Sequence, residues 1–309
     1  MSVSILNSWT IEGDYPTNGH AMTPAAGANR VGVLVVTGEI QNDAGGAMQM
    51  GTVTWGGQTV TELHDVTCGD VTSYNDFVYL GYINESGIAA MSGGTVSLTF
   101  VNGNAGVGPF GNGKVAAAIY QGVDQANIVS ASGSNTTGAT SGTASNINMG
   151  ASAIDVDVDE QVIVATVSGQ GSTSDDFNAP TGWTQAAEVI GATNDHNIAV
   201  FTRDGQTNDD ALNTNFVCDS ANRLAICSIS LGSAALAVEQ EGFRFRNDDG
   251  NETAATWRQA QDVVDSISKN TNIRLRMLAN HTGDPASQQV TLQYRQSGDA
   301  NTEWRDIPL

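Results

Sequence analysis

The sequence predicts an all-β chain: two tandem, related β-sandwich units followed by a third, smaller sandwich. Three observations carry this. Apolar or alternating runs of strand length recur along the whole chain, separated by Gly, Asn and Asp. Val53–Val66 (VTWGGQTVTELHDV) reads as a complete β-hairpin. Finally, the strand-like runs before residue 123 are matched in order by a second set before residue 233.

In the hairpin, Val53 and Trp55 share one face, Gly56-Gly57 supplies the positive-φ pair of a tight turn, and Thr59, Thr61 and Leu63 share a face on the return. Ala179–Ile190 (APTGWTQAAEVI) repeats its pattern of Gly, aromatic, Thr and Glu with a one-residue slip. The flanks match better: Arg30–Glu39 with Gln161–Gln170, Asp76–Ile83 with Asn197–Arg203, and Lys114–Val123 with Arg223–Gly232. Two similar sandwiches follow, with a jelly roll as one way of closing each. The competing reading is that a Thr/Val/Gly-rich chain resembles itself through composition alone.

Taken in order, Val3–Ile11 alternates as an opening strand and Glu12–Asn29 is a turn-rich connection. Arg30–Thr37 is a continuous apolar run, which predicts a central strand covered on both faces. Gln41–Met50 reads as a surface loop, as does Thr67–Asn75 between the hairpin and the Asp76–Ile83 strand. A turn at Ser92–Gly94 precedes clean alternation over Thr95–Val101, Asn102–Gly113 is too Gly-rich for a helix, and Lys114–Gln121 closes a first unit of residues 1–123. In the second unit, residues 124–233, Gly133–Ala144 is an internal loop between the strand signals Asn127–Ser132 and Ser145–Met149.

The third unit, 234–309, changes texture. Phe243 and Phe245 alternate with Arg244 and Arg246 in a strand that ends at Asn247–Gly250. Trp257, Ala260, Val264 and Ile267 fall at helical spacing, although Trp257 suits an irregular strand equally well. Asn272–Ala279, Val290–Arg295 and Glu303–Ile307 alternate. This density of strands predicts a small immunoglobulin-like sandwich.

Charge excludes some partners. The net charge is −21, with 4 Lys/Arg against 22 Asp/Glu in residues 1–238 and 8 against 11 in residues 239–309. A field of that sign repels phosphate backbones and anionic lipid, so neither nucleic acid nor membrane is an expected partner. Met1–Trp9 lacks the basic and apolar regions of a secretory signal, and no apolar run reaches membrane-spanning length. Cys68, Cys218 and Cys227 are an odd, sparse set, read as free buried thiols; the alternative pairs Cys218 with Cys227 across a hairpin of Asn215–Cys218 and Leu224–Ser228.

The inventory for catalysis is thin. None of His20, His64, His196 and His281 has a second His or Cys at metal-ligand spacing, and neither a nucleophile elbow nor a phosphate-cradling Gly-rich loop appears. Two carboxylates at a set distance would suffice for a glycosidase. Yet the tryptophans that would line a sugar subsite, Trp9, Trp55, Trp183, Trp257 and Trp304, all fall in strand patterns that need core residues. Asp155, Asp157 and Asp159, beside Glu160, are the densest oxygen-ligand cluster; extended backbone would align the three aspartates as a candidate Ca²⁺ site, against the simpler reading of a solvated edge. No catalytic residue and no other cofactor is expected. The N-x-[ST] triplets at Asn84, Asn135, Asn251 and Asn280 are read as incidental. With only Lys114 and Lys269 as lysines, exposed sheet edges must be guarded by Asp, Asn, Gly, bulges or another protein.

At the C-terminal unit, Gly242–Gly250 (GFRFRNDDG), Glu252–Asp262, Asn272–Met277, Thr282–Ala286, Val290–Gln296 and Trp304–Asp306 resemble a small immunoglobulin-like module of tailed-bacteriophage structural proteins. Upstream, VTWGGQTVTEL, AAAIYQGVDQ and GWTQAAEV resemble β-sandwich modules of similar phage and bacterial surface proteins, with Trp55 in the aromatic position before Gly-Gly. The resemblance implies a non-catalytic virion structural protein, made in the host cytoplasm and displayed on a capsid or fibre. Other virion proteins of capsid or tail would be its partners, and it would form a homo-oligomer. The alternative is an adhesin module that binds a host-surface glycan or receptor through loops such as Asn102–Gly113 and Thr173–Asn178.

Overall fold

Runs of β-branched and small apolar residues with Gly-rich connections leave little room for helix, and a computed structural model of the chain is built almost entirely of antiparallel strands. It describes residues 2–15, 19–41, 49–69, 74–101, 113–137, 144–149, 154–169, 177–190, 196–205, 210–234, 237–251, 254–268, 271–282, 293–294 and 305–306. The chain divides into two compact units, Met1–Ala235 and Leu236–Leu309. Among the described residues no helix is long and apolar enough to cross a membrane.

The first half of the larger unit comprises β1 (Ser4–Tyr15), β2 (Val31–Gln41), β3 (Gln49–Trp55), β4 (Gln58–Thr59), β5 (Thr61–Gly69), β6 (Tyr74–Ile83), the short helix α1 (Glu85–Ala89), β7 (Val96–Val101) and β8 (Gly113–Gln121). Its large sheet has the order β1-β8-β2-β6-β5, and a small sheet, β4-β3-β7, lies on one face. Ala21 extends the small sheet by a bridge to Thr95. The chain therefore alternates between the two layers, β1 and β2 in one and Ala21 and β3 in the other, in jelly-roll fashion. The hairpin turn forms as the sequence predicts, with Gly56 and Gly57 at φ 58° and 80° and Trp55 opposite Gln58. After Thr59 the return strand leaves the small sheet, and β5 pairs with β6 in the large one.

The second half repeats this plan with β9 (Val129–Thr137), β10 (Ala144–Asn148), β11 (Ile154–Val156), β12 (Gln161–Gly169), β13 (Phe177–Asn178), β14 (Thr184–Val189), β15 (His196–Asp204), β16 (Asp210–Leu212) and β17 (Asn215–Leu231). Leu224–Leu231 of β17 lies between β9 and β12, which continue through β15 to β14, so β9-β17-β12-β15-β14 reproduces the first large sheet strand for strand. The start of β17 plays the part of β7, pairing with β10 and β13. The match by strand is sound, but by residue it slips: Val36 and Val167, aligned in the sequence, belong to different cores.

The two large sheets pack on each other. Val33, Val35, Leu80 and Ala118 from the first meet Ile163, Ala165, Val200 and Cys227 from the second in one shared core. Opposite faces of the same strands form outer cores, around Trp55, Phe77 and Tyr79 in the first half and Trp183, Phe201 and Phe216 in the second. Strands buried on both faces explain why β2, β8 and β12 are apolar at consecutive positions. Strand β1 lies against β14 and β5 against β9, and β2 and β12 end at the same end of the unit, so the halves are related by a pseudo-two-fold along the strands. The stretches 1–123 and 124–233 thus lie within one body.

The outermost pairings of the large sheets carry register shifts: three along β1 and one each along β5, β9 and β14. Bulges twist an edge away from further pairing, and this is how the chain guards its edges where lysine is scarce.

In the smaller unit, β18 (Ala237–Asn247) pairs with β19 (Ile273–Thr282), and β20 (Gln293–Tyr294) with β21 (Arg305–Asp306). Phe243 and Phe245 sit opposite Met277 and Leu275, while Arg244 and Arg246 sit opposite Arg276 and Arg274. The Trp257 ring lies under both guanidinium groups of β18, at 4.2 and 4.7 Å. The helical option is overturned, since Thr256, Arg258 and Asp262 bond along the edge of β18 as an irregular strand and Val264 is 83% exposed. Asp262, at φ 60° and accepting from the Phe243 N–H at 2.8 Å, fixes that extended path.

Candidate functional site

At the end where β2 and β12 finish, the shared core turns polar. Alternation carries Thr37 and Glu39 on β2, Asp76 on β6 and Lys114 on β8 onto the face that packs against the second half. From the other sheet, His196 on β15 and Arg223 on β17 face them. Register makes Glu39 and Asp76 direct cross-strand neighbours and sets Lys114 opposite Thr37.

Arg223 reaches across the interface. Its Nε donates to Asp76 Oδ2 at 2.6 Å and its terminal nitrogen to Glu39 Oε2 at 3.0 Å. The Asp76 side chain is 0% exposed, and those of Glu39 and Arg223 are each 12% exposed. Lys114, at 2% exposure, donates from Nζ to the His196 carbonyl at 2.7 Å, and Thr37 Oγ1 lies 3.0 Å from His196 Nε2. The Asp76 carboxyl rests on Gly169, where a Cβ would stand 1.9 Å from Oδ2. Burial pushes the Asp76 pKa up to about 8, with the Arg223 guanidinium pulling the other way and the Glu39 carboxylate adding to the rise. Geometry and burial thus compete here: the short Arg223 contact favours a carboxylate, and the low dielectric with a second carboxylate alongside favours the acid. The direction we hold to is upward, because one guanidinium is divided between two carboxyls.

Asp76 and Lys114 are buried between the two sheets, whereas Glu39 and Arg223 each keep 12% exposure and so reach the rim of the cluster. Sequence reasoning missed it. Its signal was a charged residue at the head of an apolar run, Asp76 before FVYL and Lys114 before VAAAIY.

The aspartates proposed for Ca²⁺ are placed differently. Asp155 lies in β11, but the chain turns at Asp157–Glu160, with Asp159 at φ 70°, so the extended run that would align Asp155, Asp157 and Asp159 does not form. The Glu160 carboxylate is taken by the hydroxyls of Ser130 and Ser230, at 2.8 and 2.9 Å, and the N–H of Asp157 at 3.2 Å. Among the described residues no three His, Cys, Asp or Glu stand close enough to hold a metal ion. Cys218 and Cys227 do not face each other across a hairpin: both lie on the continuous β17, with side chains in different cores, and all three cysteines are free and buried.

Trp9, Trp55 and Trp183 are buried, with indole N–H groups on Tyr120 Oη, the Met22 carbonyl and Thr214 Oγ1. Trp257 is 38% exposed beneath its arginines, and Trp304 lies outside the described residues. Most of Asn102–Gly113 and Thr173–Asn178, and Asp175-Asp176 with them, also lie outside the described residues. No protein-family model, curated protein or solved structure matches the chain.

Proposed function

We propose that the chain is a non-catalytic structural component of a virion, displayed on a capsid or fibre and held by broad polar contacts with other virion proteins. The observation that carries this reading is where the chemistry-bearing side chains are spent. Three tryptophans that could stack on a sugar lie in the cores, and the close carboxyl pair Glu39–Asp76 is spent on Arg223 between two sheets. What remains outside is an acidic skin over sheets with bulged edges, a surface suited to face-on docking and poor for packaged DNA.

Antibody raised against the purified chain tests this on particles released from cells that carry the sequence. Gold label on assembled heads or fibres supports the proposal. Label confined to unassembled protein refutes it, and binding of the free chain to a glycan array would place it with adhesins instead.

A further inference from the structure

The charge cluster in the shared core has one atom that ordinary ionisation leaves unserved. Asp76 Oδ2 receives the Arg223 Nε–H, whereas the buried Oδ1 has no hydrogen-bond donor. Its neighbour is an acceptor too: Glu39 stands directly opposite Asp76 in the pairing of β2 with β6, and its Oε2 accepts from the same guanidinium at 3.0 Å. Two acceptors facing each other in a dry interior are repulsive, and a single proton between them converts the pair into a donor and an acceptor.

We propose that Glu39 and Asp76 hold one proton between them under the Arg223 guanidinium, and that this proton is a clasp on the packing of the first half against the second. With it, two carboxyls and one guanidinium carry no net charge. Without it, those three groups carry a net negative charge, of which the Asp76 share is fully buried. Of the groups packed around Asp76, the buried Lys114 ammonium opposes the shared proton, since a cation favours ionised carboxylates, and the others do not. From β5, the Cys68 thiol is buried and held protonated by burial and the Asp76 charge; from β12, Gly169 presents only backbone. From β8 and β15, the Lys114 ammonium is held on the His196 carbonyl, and the His196 ring lies on Thr37.

The sign follows from linkage. Asp76 binds its proton more tightly folded, up to about pH 8, than unfolded, where its ordinary value is 3.8. Stability from the clasp is therefore complete at the acid end and is lost as pH rises toward 8. His20 and His64, whose pKa values burial lowers from 6.5, act in the opposite sense and only below that value. Cys68 and Cys227, raised above 9.0, act only beyond it. Of these groups only the clasp titrates between those limits.

The test is thermal unfolding of the full chain from about pH 6.5 to about pH 8.5, for wild type, Asp76→Asn and Glu39→Gln, with infrared spectra of each. In wild type the midpoint of the larger unit should fall by roughly 4–8 °C across that range. A protonated-carboxyl stretch should be present at the acid end and fade in step. Asp76→Asn, which keeps a donor beside Glu39, should flatten the profile and remove the band. A flat wild-type profile without the band overturns the proposal, as does an Asp76→Asn variant that keeps the slope. If neither variant folds, the wild-type profile and band still decide.

Discussion

Replacing Gly169 by alanine is the sharpest probe of how tightly the two halves are fitted. No backbone penalty is expected, since Gly169 lies in regular strand with no positive φ. The obstacle is the neighbour: the new methyl would stand 1.9 Å from Asp76 Oδ2 and 2.1 Å from its Cγ, where contacts under 3.0 Å essentially never occur. The carboxyl must retreat by about 1 Å or more, into a core packed to crystal-like density. That movement stretches the 2.6 Å bond to Arg223 past hydrogen-bonding range. Separating a buried pair in this way costs about 3–5 kcal/mol, against a typical domain stability of about 5–15 kcal/mol. Denaturant unfolding of Gly169→Ala should show this loss. Gly182→Ala, at φ 85° with nothing within 4 Å, should lose only about 1 kcal/mol, from backbone strain. In an Asp76→Ala background the methyl has room, and the added cost of Gly169→Ala should drop below about 1 kcal/mol. A Gly169→Ala single variant as stable as wild type would refute the contact and the interlocking of the sheets that rests on it.

Three other outcomes follow from the packing. Trp55→Ala removes a fully buried ring and strands the Met22 carbonyl, and should cost about 3–5 kcal/mol in the same denaturant assay. Thiol titration of the native chain should find Cys68, Cys218 and Cys227 unreactive until it unfolds, because all three are buried and burial raises the pKa of Cys68 and Cys227 well above 9.0; a fast-reacting thiol in native protein would contradict this. Arg30→Ala breaks a partly exposed ion pair with Glu85 and should cost no more than about 1 kcal/mol, with a larger loss pointing to a role in seating α1.

The sequence was informative where side-chain periodicity and turn chemistry decide the outcome. Gly56-Gly57 marked its turn, the unbroken apolar run of β2 marked a strand with no solvent face, and the paired runs revealed a repeated strand order. It misled where tertiary contacts override local signals. The alternative hairpin of Asn215–Cys218 with Leu224–Ser228 needs a turn between them, yet pairing with β10 on one side and β9 on the other draws β17 through as a single strand. The spacing of Trp257, Ala260, Val264 and Ile267 suggested a helix, but Trp257 is claimed by two arginines and its neighbours by the edge of β18. Helix α1 was missed because it is one turn long, nucleated by the Asn84 side chain accepting the Gly87 N–H. The Glu39–Asp76–Arg223 cluster was out of reach of pattern reading, since its members lie far apart in the chain and meet only when the two large sheets close.

Back-to-back packing of the large sheets also bears on whether either half could stand alone. A polypeptide ending near residue 123 would expose the faces of β2, β6 and β8 that carry Val33, Val35, Leu80 and Ala118, an oily plane too broad for water. In the joined chain that plane is covered by the second half, and the acids of one half meet the arginine of the other across it.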